Sequence, residues 1–95
     1  MDIDLNILKA AIDKWGVDAQ KEMIEEECIE LALALKKLRR KRGDMGLKMA
    51  NVIDEIADVK IMIQQAELMF DSNAIAERVA FKIQRLADRI KEGVM

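Results

Sequence analysis

Residues 17–41 read VDAQKEMIEEECIELALALKKLRRK, and their periodicity decides the fold. Apolar side chains recur at Ile24, Cys28, Leu31, Leu35 and Leu38. These steps of four and three place them on one helix face. Ile29 and Leu33 form a second apolar lane roughly opposite the first. A helix apolar on two sides is buried on two sides. This helix is therefore expected at the centre of an assembly of copies of the chain.

Outward from this segment the same period repeats. Leu5 to Trp15 is a short amphipathic helix with Leu5, Leu8, Ala11 or Ile12, and Trp15 on one side. Gly16 ends it, and Asp18 offers an N-cap or first-turn acid for the next helix. After the central helix, Gly43-Asp44-Met45-Gly46 is the clearest break. A third helix is expected over 47–70, with Met49, Val52, Ile56, Val59 and Ile63 as its stripe. Asp71-Ser72-Asn73 carries capping chemistry. A fourth helix is expected over 74–92, striped by Ile75, Val79, Ile83, Leu86 and Ile90. Short connections between long helices make antiparallel neighbours. The expectation is an all-α, antiparallel four-helix bundle, one short helix and three long ones, in a single domain over 1–95.

Composition removes several functions. The chain has no histidine, so a Ser–His–Asp triad, a histidine zinc site and a histidine base are excluded. A single cysteine, Cys28, allows no internal disulfide. Its register places it on the packed face as a small buried side chain. A net charge of −2 gives nucleic-acid binding no support. No apolar run approaches membrane-spanning length. The acidic start Met1-Asp2-Ile3-Asp4 lacks a signal-peptide pattern, and a cytoplasmic location is expected.

Acidic residues carry the chemistry. Glu27 and Glu30 are three apart on the second helix, as are Glu55 and Asp58 on the third. Such pairs are neighbours on one helix face. Asp and Glu number 18 of 95 residues, so about three such pairs arise by chance and a motif needs context. Position supplies it. Glu22 and Glu25 share the spacing but point away from the apolar stripe. The other pairs flank the stripes that should pack. Facing one another, they would form a carboxylate cage for a hard cation such as Mg²⁺.

Each pair lies on a longer lane. Gln20, Met23, Glu27, Glu30 and Ala34 form one track, and Asn51, Glu55, Asp58, Met62 and Gln65 the other. Asn51 and Gln65 are amides suited to a metal-bound water or a nucleobase edge. Arg78, Lys82, Arg85 and Arg89 make a basic lane on the fourth helix. Acidic ligands beside a cationic strip suit a polyphosphate. Lys37 is the member of the basic run 36–42 nearest the acidic track. Trp15 reads either as a stacking platform for a base or as an interfacial core residue.

The string Trp15-Gly16…Gln20…Glu26-Glu27-Cys28-Ile29-Glu30-Leu31, followed by Asn51…Glu55-Ile56-Ala57-Asp58-Val59, resembles the MazG-like nucleotide pyrophosphohydrolases of the all-α nucleoside triphosphate pyrophosphatase superfamily. That family's motif is EExxE, a spacer, then ExxD. Here the spacer is the 24 residues from Leu31 to Asp54. The resemblance spans essentially the whole chain, and Lys82…Arg85…Arg89 looks like the family's closing helix.

The resemblance implies a homodimer or homotetramer that cleaves a (d)NTP to (d)NMP and pyrophosphate by a metal-activated water. It implies Mg²⁺, with Mn²⁺ as a substitute. By motif match Glu27, Glu30, Glu55 and Asp58 become metal ligands. Glu26 becomes a supporting catalytic acid beside Glu27. Lys37, Asn51, Lys82, Arg85, Gln20 and Trp15 are the expected substrate contacts. The competing expectation is a non-catalytic helical oligomerisation or interaction module with solvated acidic faces.

Overall fold

The computed structural model describes residues 2–93; Met1, Val94 and Met95 of the expected domain lie outside the described residues. Four helices make up the fold: α1 Leu5–Trp15, α2 Val17–Arg39, α3 Met45–Met69 and α4 Ser72–Glu92. No strand occurs among the described residues, so the chain is all-α.

Capping explains where the helices begin. The Asp4, Asp44 and Asp71 side chains accept hydrogen bonds from the backbone N–H groups of Asn6, Leu47 and Ala74, at 2.9, 3.0 and 3.0 Å. Each satisfies a donor that the first helical turn leaves free. Asp44 therefore starts α3 at Met45 rather than at the expected Leu47, and Gly46 lies inside the helix. Asp71 similarly starts α4 at Ser72, ahead of the expected Ala74. Gly16 separates α1 from α2 at a φ of 91°, a conformation that side chains resist.

Helices α2 and α3 form an antiparallel hairpin, and α1 packs against both. Helix α4 touches α3 alone, sparsely, and contributes no buried residue. The radius of gyration is 16.5 Å, against about 12.4 Å for a compact domain of this length. The bundle within one chain is thus built by α1–α3, while α4 extends from it.

Of the apolar stripes of α2 and α3, only Val52 is buried in the seam between them. The buried residues of α2 are Gln20 and Ala34, and those of α3 are Val52 and Gln65. Leu35, Ile56 and Ile63 are exposed, and so is Cys28, which sequence periodicity places in the core. The acidic tracks were expected to flank the packing face; Gln20, Ala34 and Gln65 are buried in it and Glu27 and Glu55 half-buried, while Glu30, Asn51 and Asp58 stay exposed at its edge. The reason is geometric: Gln20, Glu27, Ala34 and Val52, Glu55, Gln65 are the residues that the hairpin turns inward. Ile24, Leu31, Leu38 and Val59 are half-buried, and the other members of the stronger apolar lanes, Cys28, Leu35, Met49, Ile56 and Ile63, face outward from the single chain.

Candidate functional site

The α2–α3 seam positions every candidate ligand. Glu27 and Glu30 reach from α2, and Glu55 and Asp58 from α3, which runs the other way. Ligand oxygens of Glu27, Glu55 and Asp58 all lie within 4.8 Å of one another. Glu30 lies outside that trio but sits against Glu55, as Glu27 sits against Asp58. One oxygen of Glu27 and one of Glu55 are buried without a hydrogen-bond partner among the described residues.

These surroundings shift the carboxyls. Partial burial, followed by the charges of Glu30, Asp58 and Glu55, pushes Glu27 above its ordinary value of 4.5. Glu55 rises for the same reasons: burial first, then Glu30, Asp58 and Asp54. Two carboxyls in contact can share a hydrogen bond only when one is protonated. Glu27 and Glu55 therefore resist ionisation unless a positive charge enters. Three oxygens at this separation, two groups with unpartnered buried atoms and no nitrogen or sulfur donor suit a hard cation that takes oxygen ligands. The residues fit the divalent ion that the sequence suggests.

A cavity of about 420 Å³ opens at one end of the acidic cluster. Glu30 and Glu55 wall it on the acidic side, and Lys37, Lys48 and Asn51 on the other. Lys37 and Asn51 were expected near the substrate. Lys48 was not singled out, although its position seven residues before Glu55 puts both on one helix face. That spacing was the available signal.

At the other end lies a larger groove of about 580 Å³ between α1, α2 and α3. Trp15, Gln20 and Glu26 line it. Trp15 is 60% exposed in the single chain, as a stacking platform or an interfacial residue would each be. Glu26 faces this groove and is not among the three clustered ligands. Glu22, expected in solvent, stands at the rim of the groove.

No family model, curated protein or solved structure matches this chain.

The fourth-helix residues are placed differently. Lys82 and Arg85 line none of these cavities, and α4 does not pack against α2. Arg78 lies over the ring of Phe81 on the same helix, 4.7 Å from its centroid. One chain does not bring the basic lane to the acidic cluster, because α4 leaves the hairpin after Phe70. No helix is long and apolar enough to cross a membrane among the described residues.

Proposed function

We propose that this chain is a Mg²⁺-dependent, MazG-like nucleoside triphosphate pyrophosphohydrolase that works as a homo-oligomer, with Mn²⁺ able to replace Mg²⁺. The observation that carries the reading is the convergence of Glu27, Glu55 and Asp58 within 4.8 Å across two helices. It gains support from Lys37 and Lys48 at the adjoining cavity.

Glu27, Glu55 and Asp58 would hold the cation, with Glu30 beside Glu55 completing the set. A bound divalent ion would supply Lewis acidity and activation of a water. The chain's own groups do the rest. Lys37 and Lys48 attract the terminal phosphates and stabilise the negative charge of the departing pyrophosphate. Asn51 orients a phosphate oxygen or the attacking water by hydrogen bonding. Glu26, at the groove between α1 and α2, polarises the far end of the substrate. Lys82 and Arg85 would act only on a site in a neighbouring copy.

The apolar faces that one chain leaves open support the oligomer. Leu31, Ile56, Val59 and Ile63 line a shallow apolar cleft of about 280 Å³. Val79, Ile83, Leu86 and Ile90 are each more than half exposed on α4. The same faces favour a second reading, a helical interaction module without catalysis. Pyrophosphate release from a panel of triphosphates, with and without Mg²⁺, separates the two. Glu27→Ala and Asp58→Ala are expected to abolish release while circular dichroism stays helical. Undiminished Mg²⁺-dependent release by either variant overturns the assignment.

A further inference from the structure

We propose that the groove between α1, α2 and α3 holds a planar heterocycle, and that Gln65 selects it by accepting an N–H from its edge. The proposal rests on the nucleotide reading above and names the residue that chooses the base.

Gln65 is 1% exposed, the most deeply buried side chain described. Its Nε2 donates a long hydrogen bond of 3.4 Å to the backbone carbonyl of Leu8. A carbonyl only accepts, so the amide nitrogen must face it. That leaves Oε1 committed as an acceptor, and Oε1 has no partner among the described residues. A buried polar atom without a partner is disfavoured, and Gln65 lines the groove. An occupant that donates an N–H there removes the deficit. An occupant offering an acceptor or a methyl group does not.

The groove walls fit the same class. Leu8, Met23 and Met62 supply apolar contact, the methionines with adaptable shape. Trp15 stands exposed at the rim with the Lys14 ammonium over one side of its ring, 5.2 Å from the centroid; the other side is the one on which a heterocycle would stack. Glu22 and Glu26 border the opening. Two carboxylates there repel phosphates and favour a neutral occupant. The polar ends of a nucleotide are thus sorted, with the heterocycle in the groove and the phosphates at Lys37 and Lys48. Gln65 stands seven residues from Asp58 along α3, about 10 Å at the helical rise. The sugar would bridge that distance.

The test needs neither metal nor turnover. Trp15 is the sole tryptophan, so its indole N–H resonance reports the groove directly. The four common ribonucleosides are titrated beside counterparts methylated at their Watson–Crick N–H groups. At least one nucleoside is expected to shift the resonance, and its methylated counterpart to bind about tenfold more weakly or worse. In Gln65→Leu the two should bind within about twofold of each other. No nucleoside-dependent shift, equal binding of the methylated forms by the unsubstituted protein, or a gap that survives in Gln65→Leu overturns the proposal. The comparison on the unsubstituted protein decides even where the variant fails to fold. Pyrophosphate release without methyl discrimination refutes this inference and leaves the hydrolase reading standing. Nucleoside binding without pyrophosphate release does the reverse.

Discussion

Glu27→Gln should stabilise the metal-free protein and erase its response to Mg²⁺. The two effects have opposite signs and one cause. Glu27 lies within 4.8 Å of Asp58 and Glu55. At that separation, the Glu27–Asp58 repulsion is ~1–3 kcal/mol for effective dielectrics between ~80 and ~20. Asp58 is exposed, so screening favours the low end, about 1 kcal/mol. Removing the Glu27 charge while keeping its shape should therefore raise the melting temperature of the apo protein at pH 8. About 4–8 °C is expected for a domain of this size.

Mg²⁺ acts on the other side of the balance. A weak oxygen-donor site, with a dissociation constant on the order of 0.5 mM, gives about 1.8 kcal/mol at 10 mM ion. That is roughly 7–14 °C for the unsubstituted protein. The variant has lost one anionic ligand of the cluster and should gain less than about 2 °C. Thermal denaturation with and without 10 mM MgCl₂, with KCl matched for ionic strength, measures both quantities. A variant less stable than its parent without metal would refute the electrostatic argument. An undiminished Mg²⁺ increment in the variant would refute the placement of the ion.

The raised carboxyls of Glu27 and Glu55 set a pH dependence of defined sign. The folded state holds protons that the unfolded state releases, so metal-free stability should fall as pH rises through the raised values above 4.5. The Mg²⁺ increment should grow over the same range, because ligands bind deprotonated; melts from pH 4.5 to 8 read both trends, and an increment independent of pH would exclude these ligands. Lys37→Ala and Lys48→Ala should each raise the triphosphate KM and weaken pyrophosphate inhibition about tenfold, while melts with Mg²⁺ alone stay unchanged; loss of the Mg²⁺ increment would place the lysines in the wrong role. Asp44→Ala removes the α3 cap and should cost about 1 kcal/mol in urea denaturation, with catalytic ligands untouched; no loss would mean that the loop satisfies the Leu47 N–H by another route. Ile83→Glu should shift the species seen by analytical ultracentrifugation toward monomer, and a monomeric parent would remove the proposed oligomer altogether.

Helix number and boundaries were legible because their signals are local. A missing proline, Asp residues before the starts of α1, α3 and α4 and Gly16 at a positive φ before α2 act within a few residues of themselves. Errors of about two residues arose at Asp44 and Asp71, where the capping residue was visible but its reach was not. The acidic cluster was legible as spacing. Its position was not, because a hydrophobic stripe shows that a face is buried without showing what buries it. Leu31, Ile56 and Ile63 read as intrachain core by the same rule that would serve an interface between copies. Cys28 followed its stripe outward. Lys48 escaped notice because it precedes the motif by two turns, outside the segment where acidic spacing draws the eye. Gln65 lay on the expected track, yet only packing against Leu8 reveals that its amide is committed in one orientation.

The chain is inside out by the ordinary standard, and the amount can be bounded. Its accessible surface is 7676 Å², whereas a folded monomer of 10.8 kDa is expected to show about 5,500 Å². The excess is about 2,100 Å² for each copy. A standard interface removes only about 800 Å² from each partner. Two copies covering the whole excess would share about 4,200 Å², within the span of obligate homodimers. The polar seam accounts for this inversion. With Glu27 and Glu55 turned into the seam, α2 and α3 cannot put their best apolar lanes against each other. Those lanes must find cover elsewhere, and α4 does not reach far enough back to give it. The proposed metal and partner would answer one arrangement from two sides. A cation would relieve the charge that the hairpin turns inward, and a second copy would cover the apolar surface that this same choice turns outward.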